Sequence, residues 1–147
     1  MLVITESPLP VEPAALAGLE RDTLSLTWEE RRWTRNRVRS TGGRELALAL
    51  PTGSHLRPGD VIAQEATWYL VVEGRPEPVL AVFPRDLQEA IRIAFSVGNR
   101  HFSLAFDGEC ILIPDDTAME QLLTRLGVAW KRRDAVYDPL GDAPHRH

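Results

Sequence analysis

The chain holds a single cysteine, Cys110, in 147 residues. One thiol closes no internal disulfide and builds no CxxC metal knuckle, and its isolation fits a reducing compartment. No apolar run approaches the roughly 20 residues that a spanning helix needs. Met1 to Pro13 lacks the basic start and the apolar stretch of a signal peptide. The expectation is a cytoplasmic protein with no membrane association. A surplus of positive charge is also missing: 17 Lys and Arg stand against 21 Asp and Glu, for a net charge of −4. That balance offers no global basic field to draw the chain to nucleic acid. There is no glycine-rich phosphate loop, no G-x-S-x-G elbow and no H-E-x-x-H pair. Four histidines and one cysteine are a thin stock for an orthodox catalytic constellation, and the chain is read as not an enzyme.

What is present is an ordinary globular composition, 44% hydrophobic and 26% charged. Pro8, Pro10 and Pro13 forbid regular helix near the start, leaving Ala14 to Leu19 room for a short turn. From Thr23 to Trp28 the residues alternate, with Leu24, Leu26 and Trp28 on one side and Thr23, Ser25 and Thr27 on the other. Period two marks a half-buried strand. Arg35 to Arg39 and Glu45 to Leu50 repeat the pattern around Ser40-Thr41-Gly42-Gly43, a hairpin signal. Turns at Pro51-Thr52-Gly53 and Arg57-Pro58-Gly59-Asp60 precede short strands at Val61-Ile62 and Trp68 to Val72.

Gly74-Arg75-Pro76-Glu77-Pro78 is polar and proline-bearing, a boundary signal. Beyond it Val79 to Phe83 reads as a strand. Asp86-Leu87-Gln88-Glu89 has the form of a helix start, in which the aspartate accepts from an orphan amide and the glutamate reaches back. Leu87, Ala90, Ile91, Ala94 and Val97 recur at helical spacing, and Gly98 is read as the left-handed terminator. Phe102 to Phe106 and Glu109 to Ile113 make a hairpin around Asp107-Gly108. Thr117 to Glu120 repeats the capping form. Ala118, Met119, Leu122, Leu123 and Leu126 make an apolar stripe that Gly127 ends, and Val128 to Val136 is a last strand. The order β-α-β-β-α-β is the ferredoxin-like split unit. The predicted fold class is α+β: an N-terminal all-β interaction domain over 1–75, a ferredoxin-like domain over 76–137 and a flexible tail over 138–147.

Six arginines cluster: Arg31, Arg32, Arg35, Arg37, Arg39 and Arg44. Arg35, Arg37 and Arg39 share one face of an extended strand, with Trp33 on the same parity. They suit an acidic protein partner or, less well in a net-acidic chain, RNA, since a guanidinium matches carboxylate and phosphate alike in a forked geometry. The bland reading is a solvated face paired locally with Glu29, Glu30 and Glu45. His55 reads as a surface loop histidine and Cys110 as core. His101 follows Gly98-Asn99-Arg100 and sits between a helix end and a strand, exposed and fixed. One imidazole holds a divalent ion poorly, but a two-fold axis nearby supplies a second. Imidazole suits Ni2+, Zn2+ and Cu2+ alike. His145 and His147 form an H-x-H pair on the tail, which spans roughly 33 to 36 Å when extended and so can fold back over a neighbouring site; an inert terminus is the alternative.

Several stretches together resemble the UreE family of urease accessory proteins. They are Asp22 to Arg31, Gly43 to Pro51 continued by Leu56 to Val61, Pro76 to Leu80, Gly98-Asn99-Arg100-His101, and Asp115 to Leu123 with Leu126-Gly127. They run colinearly over about residues 20 to 140, and Gly98 to His101 is the most specific. The resemblance implies a β interaction domain and a ferredoxin-like metal-binding domain. It also implies a homodimer joined through the second domain, with His101 of both protomers binding Ni2+. Family members pass nickel toward the GTPase UreG and thence to apo-urease. The chain departs from the family at Phe95-Ser96-Val97, where many members carry a histidine, and at Pro114, Asp115 and Asp116, where some do. Its tail offers only His145 and His147. These departures imply few ions per dimer rather than bulk storage.

Overall fold

Alternating residues give several N-terminal strands one apolar face, and those faces need a common core. In the computed structural model, which describes residues 1–140, the chain divides into two compact units at the Arg75/Pro76 junction. The first unit holds β1 (Leu2–Ile4), β2 (Glu20–Leu26), β3 (Arg35–Arg39), β4 (Glu45–Ala49), β5 (Val61–Gln64) and β6 (Trp68–Gly74). They form two three-stranded sheets, ordered β1-β4-β3 and β2-β6-β5. β1 runs parallel to β4 and β2 parallel to β6, while β3 and β5 pair antiparallel. Leu24, Leu26, Leu46, Leu48 and Leu50, the inward residues of the alternation, meet Ile62, Leu70 and Val72 in the core.

Two details differ from the sequence expectation. β1 was not read, because three residues are too few to show a period. Besides a 3-10 turn at Pro13–Leu16, inside the stretch where a short turn was expected, the unit contains a short helix, α1 (Trp28–Arg31), where the alternation placed a strand end. Thr27 decides this locally. Its hydroxyl accepts from the Glu30 N–H at 3.4 Å, and the Glu30 carboxylate accepts from the Thr27 N–H at 2.9 Å, a capping box.

The turn after β3 is bound from a distance. The buried Asp22 carboxylate accepts from Ser40 Oγ at 2.6 Å and from the Thr23 N–H, the Gly42 N–H and Arg44 Nη1, each at 2.8 Å. A Cβ on Gly42 would stand 2.9 Å from Asp22 Oδ1, so only glycine admits the carboxylate. Burial by itself raises the Asp22 pKa, but the bonds from Ser40, Arg44, Gly42 and Thr23 outweigh it and hold the group below its ordinary value.

The second unit runs β7 (Glu77–Phe83), α2 (Leu87–Asn99), β8 (Ala105–Asp107), β9 (Cys110–Pro114), α3 (Thr117–Leu126) and β10 (Ala129–Ala135). Its sheet is ordered β10-β7-β9-β8 with every neighbour antiparallel, the ferredoxin-like arrangement. Leu80, Val82, Ile111 and Ile113 from the sheet pack against Ile93 and Val97 of α2 and Met119, Leu122 and Leu123 of α3. Asp86 caps α2, accepting from the Glu89 N–H at 2.8 Å. Glu89 reaches back one residue beyond the cap, to the Arg85 N–H at 3.0 Å, and also takes the Arg85 guanidinium at 2.6 Å. The hairpin loop is Gly108-Glu109 rather than Asp107-Gly108, with Asp107 opposite Cys110, because the glycine supplies a φ of 62° at the first loop position. β8 begins only at Ala105, three residues later than the pattern suggested. Asp116, not Thr117, caps α3, accepting from the Ala118 N–H at 2.8 Å, and Gly127 ends it at φ 70°. The expected tail from residue 141 onward, with His145 and His147, lies outside the described residues.

Candidate metal site

The end of α2 differs from its expected form in an informative way. Gly98 stays within the helix, and the left-handed residue is His101, at φ 64°. The Phe102 N–H donates to the Val97 carbonyl at 3.3 Å and the His101 N–H to the Gly98 carbonyl at 2.9 Å. This pair of bonds is the Schellman motif, with histidine at the position glycine usually takes. Val97 is fully buried and Phe102 packs against the same cluster, so the apolar contact that accompanies the motif is present as well. A side chain in the left-handed region costs roughly 1–2 kcal/mol, although histidine tolerates it better than most. The imidazole is exposed, and a closed helix cap fixes the backbone from which it projects.

The same helix carries a row that the core does not use. Leu87, Ile91 and Phe95 are 76%, 61% and 71% exposed. They recur at i, i+4 and i+8, one line along the surface, while Glu89, Ala90, Ile93 and Val97 make the inward face. Sequence periodicity assigned Leu87 and Ile91 to the core stripe; they stand beside it. The signal for a second row was available: α2 has more apolar residues than one buried face accommodates.

Beyond β10 the chain returns to the His101 segment. The hydroxyls of Tyr137 and Ser103 share a hydrogen bond at 2.7 Å, Tyr137 is buried, and the Leu140 N–H donates to the Leu104 carbonyl at 2.7 Å. Residues 137–140 thus strap onto the two residues that lie two and three places beyond His101.

The arginine cluster does not act as one patch. Arg31 is fully buried and donates to the Leu26 carbonyl at 2.9 Å. Arg44 binds Asp22 and lies 4.2 Å over the Trp68 ring. Arg32 sits 5.3 Å over Trp28. Arg39 pairs with Glu45 at 3.4 Å on an exposed face. Arg35, Arg37 and Arg39 are exposed together on β3, whose inward Val38 packs on the core. Trp33 is half-buried, ahead of the strand. His55 is half-buried too and stacks on Trp28 at 5.9 Å between ring centroids. Cys110 is buried, with its sulfur 3.5 Å from Arg133 Nη2.

A β unit followed by a split βαββαβ unit is matched, half by half, by two family models. They are the UreE urease accessory protein N-terminal domain over residues 9–73 and its C-terminal domain over residues 77–147. The class is thereby defined: an accessory protein of urease. A urease accessory protein UreE of Deinococcus radiodurans is 44% identical over 107 residues, covering 73% of this chain and 69% of that one. One from Synechococcus sp. is 41% identical and covers 87% of both chains. Another, from Thermosynechococcus vestitus, is 33% identical and covers 92% of this chain and 94% of its own. The chain belongs to the UreE family.

Proposed function

We propose that this chain is a cytoplasmic metallochaperone that carries Ni2+ as cargo for assembly of the urease active centre. The observation that supports this most is His101, an exposed imidazole held in a left-handed cap on the helix that bears the uncovered row Leu87, Ile91 and Phe95. Among the described residues no group of three or more His, Cys, Asp or Glu side chains is placed to hold a metal ion. The described residues of one copy therefore supply too few donors, and in this reading the others come from a second copy and from the tail. A homodimer joined through the second domain, with its axis near the C-terminal end of α2, covers Phe95 and turns the two His101 imidazoles toward each other. Full burial of a phenylalanine contributes about 1.5–3 kcal/mol, so the row gives such a seam its apolar content.

His145 and His147 complete the donor set in this reading. The strap at Tyr137 and Leu140 supports it, because the tail then starts from beside the His101 segment. Seven residues beyond Leu140 reach roughly 23 to 25 Å when extended. Imidazole nitrogen also accepts Zn2+ and Cu2+, and those ions compete for the same place. The β domain, through Arg35, Arg37 and Arg39, serves as the docking module toward the accessory GTPase UreG and the apo-urease complex.

Equilibrium dialysis of the full chain with Ni2+, run beside a mass measurement of the oligomer, tests the proposal. The expected result is about one tight ion per dimer. His101→Asn, which keeps a residue tolerant of the left-handed region, abolishes that binding. Undiminished affinity in this variant, or a nickel-loaded monomer, sinks the reading.

A further inference from the structure

β3 is the outer strand of its sheet among the described residues. It pairs with β4 from Arg35 opposite Ala49 to Arg39 opposite Glu45. Just outside that span the Leu50 N–H donates to the Thr34 carbonyl and the Ser40 N–H to the Arg44 carbonyl, both at 2.8 Å. Thr34 and Ser40 fix the parity: even-numbered residues turn their backbone groups toward β4. The odd-numbered Arg35, Arg37 and Arg39 turn theirs to the open side. The Arg37 N–H agrees, since it donates not to β4 but to Oδ1 of the adjacent Asn36 at 2.8 Å. The residues that display the charges are thus the same ones that display the unused backbone donors and acceptors. Arg39 has Glu45; among the described residues Arg35 and Arg37 have no ion-pair partner.

We propose that β3 receives an extended acidic segment of a partner protein as an added strand, with carboxylates at every second position. The inference rests on the docking role proposed for the β domain and adds a register to it. A merely acidic surface would need no spacing. A strand laid on this edge sets its own alternate residues opposite Arg35, Arg37 and Arg39, where cross-strand neighbours of opposite charge attract. The backbone ladder supplies affinity and the alternation supplies selectivity. Asn36 is the guard: its side chain occupies the Arg37 N–H that an incoming carbonyl would take.

Fluorescence anisotropy on the full chain decides the matter with three labelled peptides. One alternates glutamate and threonine. The second has the same composition with its glutamates contiguous. The third is the alternating peptide N-methylated on the amides that would pair. The alternating peptide is expected to bind about tenfold more tightly than either of the others. Reversing charge with Arg35→Glu and Arg37→Glu, both at exposed positions, removes that binding. Asn36→Ala, which frees the Arg37 N–H, tightens it about threefold. Equal binding of the alternating and contiguous peptides, or weaker binding by Asn36→Ala, overturns strand addition while leaving a charge-based docking face. No binding of any acidic peptide overturns both, and identifies β3 as an edge blunted by charge against self-association.

Discussion

At the scale of single residues, His101 is where local stability and the proposed function pull apart. Its φ of 64° is one that glycine adopts without a Cβ penalty. His101→Gly should therefore leave the cap intact and stabilise the fold by up to about 1 kcal/mol, seen as a rise in the thermal midpoint, while nickel binding disappears. A fall in the midpoint would mean that the imidazole itself contributes to the fold. Asp22 is the opposite case, a charged residue whose work is structural. Four donors converge on its carboxylate from Thr23, Ser40, Gly42 and Arg44. The sequence displayed the turn residues and the arginine but could not show that one buried aspartate gathers them.

At the scale of elements, α2 carries two rows. Helical periodicity revealed the helix but mixed the rows, taking Ala90 and Val97 of the inward face together with Leu87 and Ile91 of the outer one and missing Ile93; the inward row builds the core with β7 and β9. The outward one is uncovered in the single chain, and in the proposed dimer it becomes the seam. Phe95→Lys tests that role. The position is 71% exposed, and a cation in the later part of a helix agrees with its dipole, so the monomer's stability should change by less than about 0.5 kcal/mol. The expected outcome is a monomer in analytical ultracentrifugation and a loss of tight nickel binding, although His101 is untouched. A dimer that persists with full affinity would place the seam elsewhere. The β3 edge was partly legible in the same sense. Shared parity put Arg35, Arg37 and Arg39 on one face, but which members of the cluster were consumed elsewhere depended on Leu26, Asp22, Trp28 and Glu45.

At the scale of the whole molecule, each unit holds, among the described residues, one buried carboxylate with a depressed pKa. In Asp22 the lowering survives burial because of the hydrogen bonds around it. In Glu89 it comes first from the Arg85 side chain and then from the Arg85 backbone amide. A carboxylate whose folded value lies below its unfolded value contributes stability that is fully present above the unfolded pKa, about 4. That contribution is lost as pH falls through the folded value. Urea midpoints followed by tryptophan fluorescence should therefore hold from neutral pH down to about pH 5 and fall below about pH 4. Asp22→Asn should be less stable than the parent at neutral pH and converge with it in acid. A constant gap across that range would show that the aspartate's charge is not what the turn requires.

By itself the sequence determined the periods and the punctuation. Residues of period two became β2, β3 and β4, and residues of period 3.6 became α2 and α3. Asp86 and Gly127 marked helix ends, and the β-α-β-β-α-β order identified the split unit. These are properties of neighbours along the chain, and short-range sterics and hydrogen bonding are enough to decide them. Tertiary structure alone decided that β1 lies beside β4, that Asp22 collects Ser40 and Arg44, that Arg31 is buried while Arg35 and Arg37 stay exposed, and that the left-handed residue is His101 rather than Gly98. Each of these depends on a partner distant in sequence or on where a core face runs out, and so is settled only when the packed chain removes some groups from water and leaves others in it.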